Sequence, residues 1–147
     1  TLLNGPSIPN THSVGHLGED PLLAGLIAGA TIEGTQRQKV VSTIKHFALN
    51  DQETLRRTVD AVIDEQALRE SDLLAFELAL EKGKPWSVMC AYNLVNGVPA
   101  CGSHFLLTQV LKQDWGYPGW VMSDWGAVHG PQDALAGLDQ QSGEQLD

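Results

Sequence analysis

The chain has 147 residues, 42% hydrophobic and 18% charged, which sets disorder and fibrous structure aside and fits one globular domain. Its 9 Lys and Arg against 18 Asp and Glu give a formal charge of -9, and no stretch gathers cations into a patch that could neutralise phosphates; nucleic acid and an anionic membrane surface are poor partners. The longest apolar runs, such as 21–27, fall far short of the ~20 residues of a bilayer span, and the first residues lack the basic-then-apolar layout of a signal peptide.

From about residue 18 onward, helix-like and strand-like segments alternate with little slack between them. Asp20 is placed to cap a helix that has Pro21 in its first turn and Gly34 just beyond its end. Residues 40–45 form a β-rich run. Asp64 caps a second, longer helix expected to run to Lys82 and to close at Gly83, with Ala67, Leu68, Leu74, Ala75, Leu78 and Ala79 on its apolar face. A second β-rich run spans 86–92, a third helix is expected from Ser103 to Trp115 with Gly116 as its stop, and a third β-rich run spans 120–124. Another helix is expected from Pro131. The β-rich runs are near-continuous in apolar residues rather than alternating, as parallel strands covered on both faces would be. This order fits either a (β/α)8 barrel or an open doubly wound sheet, and periodicity does not choose between them.

Each run ends in polar or aromatic groups: Lys45 and His46, then Tyr92 and Asn93, then Asp124 and Trp125. In parallel βα architectures the carboxyl ends of the strands share one rim, where sites form. An isolated Asp at a strand end more often caps a helix, and an isolated Tyr or Trp more often packs. Three such pairs on one rim point instead to a ligand site. Hydroxyls can be held there by charged donors and acceptors while a ring stacks on an aromatic face, so a sugar is the natural ligand.

Other chemistry has little support. His12 and His16 stand four apart near Glu19 and Asp20, but the Glu that a zinc-protease helix carries beside its first His is missing, and Pro6, Pro9, Gly15 and Gly18 argue against a helix; no metal is expected. No GxGxxG or GxxxxGK[ST] pattern follows a strand, so no nucleotide cofactor is expected either. Cys90 and Cys101 are too few for a disulfide framework and lack CxxC spacing; they read as free thiols, with pairing left open because Cys101 lies just beyond the turn that follows the strand of Cys90.

The motifs GEDP at 18–21, KHFALNDQE at 45–53, DEQALRE at 64–70, VMCAYNLVNG at 88–97, WGYPGWVMSDWGA at 115–127 and GLD at 137–139, in this order and spacing, resemble glycoside hydrolase family 3, and most of all its β-glucosidases. The resemblance covers the chain from about residue 18 to its end. It implies a (β/α)8 barrel and a retaining hydrolase that removes a terminal non-reducing β-glucosyl residue without a cofactor. Carried over position by position, it makes Asp124 of the SDW motif the catalytic nucleophile. Lys45 and His46 would hold sugar hydroxyls, with Tyr92 and Trp125 lining the same pocket. Lys45 would also help to keep Asp124 ionised.

In that glucosidase branch the acid/base carboxyl comes from an α/β-sandwich domain that follows the barrel, beyond this chain. The N-acetylglucosaminidase branch carries KHFPGHG instead, and here Ala48-Leu49-Asn50 follows Lys45-His46-Phe47. A β-xylosidase, a β-N-acetylglucosaminidase or a non-catalytic sugar-binding remnant are the other readings. Because a complete barrel takes ~250 residues, the chain is expected to be a partial barrel over 18–147. Residues 1–17 depart from the family pattern and are expected to be a divergent or unrelated head, with His12 where the family has a sugar-contacting Arg.

Overall fold

The structure, a computed structural model, describes residues 17–143. All of the expected head except Leu17, with His12 and His16, lies outside them.

Helix α1 (Pro21–Gln36) starts as expected: the Asp20 carboxylate accepts the amides of Leu22 and Leu23 at 2.9 and 3.1 Å. It runs past Gly34, and a Glu33–Arg37 ion pair one turn apart flanks its last turn. Gln36 then ties this end to the neighbouring loop, its amide nitrogen donating to Lys84 O at 2.9 Å and its oxygen accepting from Trp86 N at 3.1 Å.

Strand β1 is Thr43–Phe47, later than the expected 40–45, since Val40 and Val41 remain half exposed outside the sheet. His46 therefore lies inside the strand. A short β2 (Asp60–Ala61) leads to the second helical region, which is two helices rather than one. Asp64 caps α2 (Glu65–Glu70) through Ala67 N, but the backbone leaves the helical region at Ser71, with φ -115° and ψ -98°, and restarts as α3 (Asp72–Gly83). The restart turns Leu73, Phe76 and Leu80 into the core and leaves Leu74 and Leu78 half-buried, a rotation from the expected face. Lys84, in the left-handed region, ends α3 in place of Gly83. Gly83 serves close packing instead: a Cβ there would lie 2.7 Å from Ile32 Cβ, and one at Gly25 of α1 would lie 2.7 Å from Leu78 Cβ. Small residues thus let the backbones of α1 and α3 approach.

Strand β3 (Ser87–Cys90) is shorter than the expected 86–92, and β6 (Trp120–Ser123) stops one residue before Asp124. Between them come β4 (Leu94–Val95), β5 (Val98–Pro99), a 3-10 turn at Ala100–Gly102 and the helical segment Phe105–Asp114, a wide π-helical coil whose end is marked by Trp115 N donating to Val110 O, five residues back. Gly116 follows with φ 61°, in line with its expected role as a stop. The helix expected from Pro131 is a single turn, α4 (Gln132–Leu135).

Strands β1, β3 and β6 form a parallel sheet in that order, with Ile44 opposite Val88 and Val88 opposite Val121. The β1–β3 register shifts between Lys45 and Phe47, where the Lys45–His46 and Phe47–Ala48 peptides are cis. Beyond β6, Gln140 bridges Met122 in parallel, so residues 139–142 flank the sheet. A second small sheet has the order β2-β4-β5, its hairpin turned by Asn96 and Gly97 at φ 50° and 81°. The α/β class with parallel strands is as expected. Ile44, Val88 and Val121 from the sheet, with Phe47 and Phe76 packed edge to face at 5.0 Å, form the centre of the core, and the partly buried Trp115 packs edge to face on Phe47 at 5.9 Å. Among the described residues no helix is long and apolar enough to cross a membrane.

Candidate active site

Because β1, β3 and β6 are parallel neighbours, their carboxyl ends deliver His46, at the register shift of β1, together with Tyr92 and Asp124 to one place. Cys90 at the end of β3 pairs with Phe47 on one side and Ser123 on the other, so the residues just before or after this level face one rim. His46 Nε2 lies 3.2 Å from Asp124 Oδ2. The other carboxylate oxygen accepts the Trp125 amide at 2.8 Å. The Tyr92 hydroxyl donates to Trp125 O at 2.7 Å and lies against the same carboxylate.

Asp124 is only 9% exposed. Burial by itself pushes its carboxyl up, but the His46 hydrogen bond, the Trp125 amide, the imidazole charge and the Tyr92 hydroxyl together outweigh that and hold it below the usual carboxylate range. The result is a carboxylate kept ionised although largely removed from water. Tyr92 moves the other way: burial, then the negative Asp124, raise its hydroxyl above the ordinary phenol value, so it stays a proton donor.

Lys45 is half-buried on β1 opposite Met89 and forms no ion pair with Asp124 among the described residues. The expectation that Lys45 holds Asp124 down is corrected: His46, the Trp125 amide and Tyr92 are the chief groups that do so. Trp125 is 56% exposed beside the carboxylate, which leaves an indole face open at the rim. Asn93 is fully buried; its amide donates to Ala48 O at 3.2 Å and so links the exits of β3 and β1.

Two residues escaped the sequence reading. The Arg56 and Arg57 guanidiniums lie 5.0 and 4.8 Å from the centre of the Tyr92 ring, Arg56 also being paired with the Glu53 carboxylate at 3.1 Å. Two adjacent arginines in a chain with 9 Lys and Arg, just after the first strand exit, were the available signal. Cys90 and Cys101 are not free thiols as expected but are joined in a disulfide, with Cα atoms 5.2 Å apart. The hairpin at Asn96-Gly97 folds the chain back and brings the two together. Among the described residues, no group of three or more His, Cys, Asp and Glu is arranged to hold a metal ion.

The fold and this rim define an α/β domain with a carboxylate-centred site at the carboxyl ends of parallel strands. Residues 8–143 match the glycosyl hydrolase family 3 N-terminal domain, and the chain belongs to that family. It is 48% identical over 124 residues to the thermostable β-glucosidase B of Acetivibrio thermocellus, covering 84% of this chain and 16% of that protein. To the exo-α-(1→6)-L-arabinopyranosidase of Bifidobacterium longum it is 52% identical over 111 residues, or 76% of this chain and 15% of the relative. Among solved structures, the β-glucosidase DesR of Streptomyces venezuelae, in complex with D-glucose, superposes with a TM-score of 0.90 at 44% identity, over 99% of this chain and 19% of that one. The chain thus spans less than a fifth of the length of these relatives.

Proposed function

We propose that this chain is part of the catalytic (β/α)8 barrel of a retaining β-glucosidase, with Asp124 as nucleophile. The observation that carries the reading is the buried Asp124 carboxylate, held ionised by His46, the Trp125 amide and Tyr92 at a rim with an open indole face. A nucleophile must be ionised to attack, and shielding from water raises its reactivity toward a bound sugar.

In the reaction, an Asp124 oxygen attacks the anomeric carbon, the glycosidic bond breaks, and a carboxylic acid protonates the departing oxygen. That acid, about 5–5.5 Å away in retaining enzymes, would come from the α/β-sandwich domain that the family resemblance implies. It then takes a proton from water, which attacks the glycosyl ester and frees the sugar and Asp124. Lys45 and His46 hold sugar hydroxyls, Tyr92 and Trp125 line the pocket, and Arg57, with the Glu53-paired Arg56, stacks on the Tyr92 ring. The substrate is a β-glucoside or oligosaccharide entering at its non-reducing end.

The test is Asp124→Asn in the full-length protein. The amide keeps the shape without the nucleophile, so turnover of aryl β-glucosides should vanish while folding and glucose binding persist. Near-normal turnover would place the nucleophile elsewhere. The 52% identity to an arabinopyranosidase supports a second reading, a terminal α-L-arabinopyranose. Comparing kcat/KM on the nitrophenyl glycosides of both sugars decides between them.

A further inference from the structure

The Cys90–Cys101 bridge joins residues 11 apart in sequence, and both cysteines are fully buried. Cys90 is the last residue of β3 and pairs across the sheet with Phe47, next to His46, and with Ser123, next to Asp124. Cys101 sits in the 3-10 turn after the hairpin, its sulfur 3.5 Å from Ala91 O. Ala91, Tyr92 and Asn93 lie inside the bridged loop, whose neck is also closed by Ala100 N donating to Asn93 O at 3.0 Å. The segment that carries Tyr92 is therefore tied at its origin to the one level of the sheet from which His46 and Asp124 also project.

We infer that the Cys90–Cys101 disulfide is a positioning pair for Tyr92, holding its hydroxyl against Asp124 and Trp125, and so acts on the reaction through Tyr92. The inference rests on the proposed glycosidase function. With the bridge present, Tyr92 reaches its partners from a loop that cannot splay away from β3. Without it, Ala91 N donating to Phe47 O at 2.9 Å and the hairpin turn still hold the loop, but one of its two covalent ties to the end of β3 is gone, and the Tyr92 hydroxyl, which donates to Trp125 O beside the carboxylate, loses alignment as the loop loosens. A bridge that served stability alone would alter melting without altering how Asp124 titrates.

The experiment compares four forms of the full-length enzyme on an aryl β-glucoside across pH: wild type, Tyr92→Phe, Cys90→Ala/Cys101→Ala, and the triple variant. Tyr92→Phe should lower kcat/KM by about 10- to 100-fold, since it removes both the bond to Trp125 O and the hydroxyl that lies against the Asp124 charge. It should also move the acid limb of the profile to higher pH, because burial then acts on Asp124 with less opposition. The cysteine variant should show the same direction on both readouts, and the triple variant should be no worse than Tyr92→Phe, since both changes remove one interaction.

Cys101→Ala alone, which leaves Cys90 packed in the sheet, should reproduce the cysteine double variant. An unchanged acid limb in folded cysteine variants, losses that multiply in the triple variant, or failure of both cysteine variants to fold would each overturn the inference and leave the bridge a stabiliser only. If wild type itself does not turn over any aryl glycoside, the functional reading fails first and takes this inference with it.

Discussion

At Asp124, two opposing effects of similar kind meet, burial raising the carboxyl and hydrogen bonding lowering it, and the net result is a carboxylate below its usual range. The balance predicts which neighbours matter for the pH profile. His46→Ala in the full-length enzyme removes the largest lowering contact and leaves burial in place, so the Asp124 carboxyl should rise and the acid limb of kcat/KM should move to higher pH. Turnover at neutral pH should fall by about 100-fold as well, since a hydroxyl contact that strengthens in the transition state is lost. Lys45→Ala should also lower kcat and kcat/KM, but with the acid limb unmoved, because Lys45 is not among the chief groups that hold Asp124 down. Coincident shifts in the two variants would assign Lys45 the electrostatic role that the sequence suggested and the geometry does not support.

At the level of elements, the crossing of α1 and α3 rests on glycines that differ in kind. A Cβ at Gly25 would lie 2.7 Å from Leu78 Cβ and 2.9 Å from the Ala75 carbonyl oxygen, and backbone cannot swing aside as a side-chain tip can. Gly25→Ala should therefore destabilise by about 1–3 kcal/mol, the usual cost of overpacking. Gly34, inside the same helix, has nothing within 4 Å of its would-be Cβ, and Gly34→Ala should stabilise by about 0.5–1 kcal/mol. Thermal midpoints moving in opposite directions would confirm the contrast; two similar shifts would refute it.

These elements also show what the amino-acid order makes legible. Asp20 and Asp64 cap helices as read, and the continuous apolar runs mark the three parallel strands, so the place where their carboxyl ends meet was legible in advance. The break at Ser71 could not, because helical spacing runs through it and only packing of α3 on α1 favours a restart. Gly34 and Gly83 look like helix stops by type, yet one lies within a helix and the other serves a close approach; glycine alone does not distinguish these uses. A turn between Cys90 and Cys101 was visible in the sequence, but whether it would bring the two within bonding distance depends on the sheet from which Cys90 departs. Arg56 and Arg57 reach Tyr92 only because the loop after β1 folds back over the rim, which no local pattern encodes.

For the whole molecule, Leu22, Leu23, Leu26 and Ile27 form an apolar stripe along α1 that is 41–55% exposed, with Val40 and Val41 also open. A surface of that kind is covered in a larger assembly or associates. The 147-residue chain produced alone should self-associate, seen as concentration-dependent elution on size exclusion, and Leu22→Lys/Leu26→Glu should reduce this. A monodisperse monomer at all concentrations would contradict it.

The central claim, that Asp124 attacks the sugar, is tested most directly by trapping. The full-length enzyme is treated with a 2-deoxy-2-fluoro-β-D-glucoside bearing a dinitrophenolate leaving group, which forms the glycosyl ester quickly and hydrolyses it slowly. Digestion and mass spectrometry should find one fluoroglucosyl group on the peptide containing Asp124, absent from Asp124→Asn. A label on a different carboxylate, or none on an enzyme that still turns over the parent glucoside, would contradict the account.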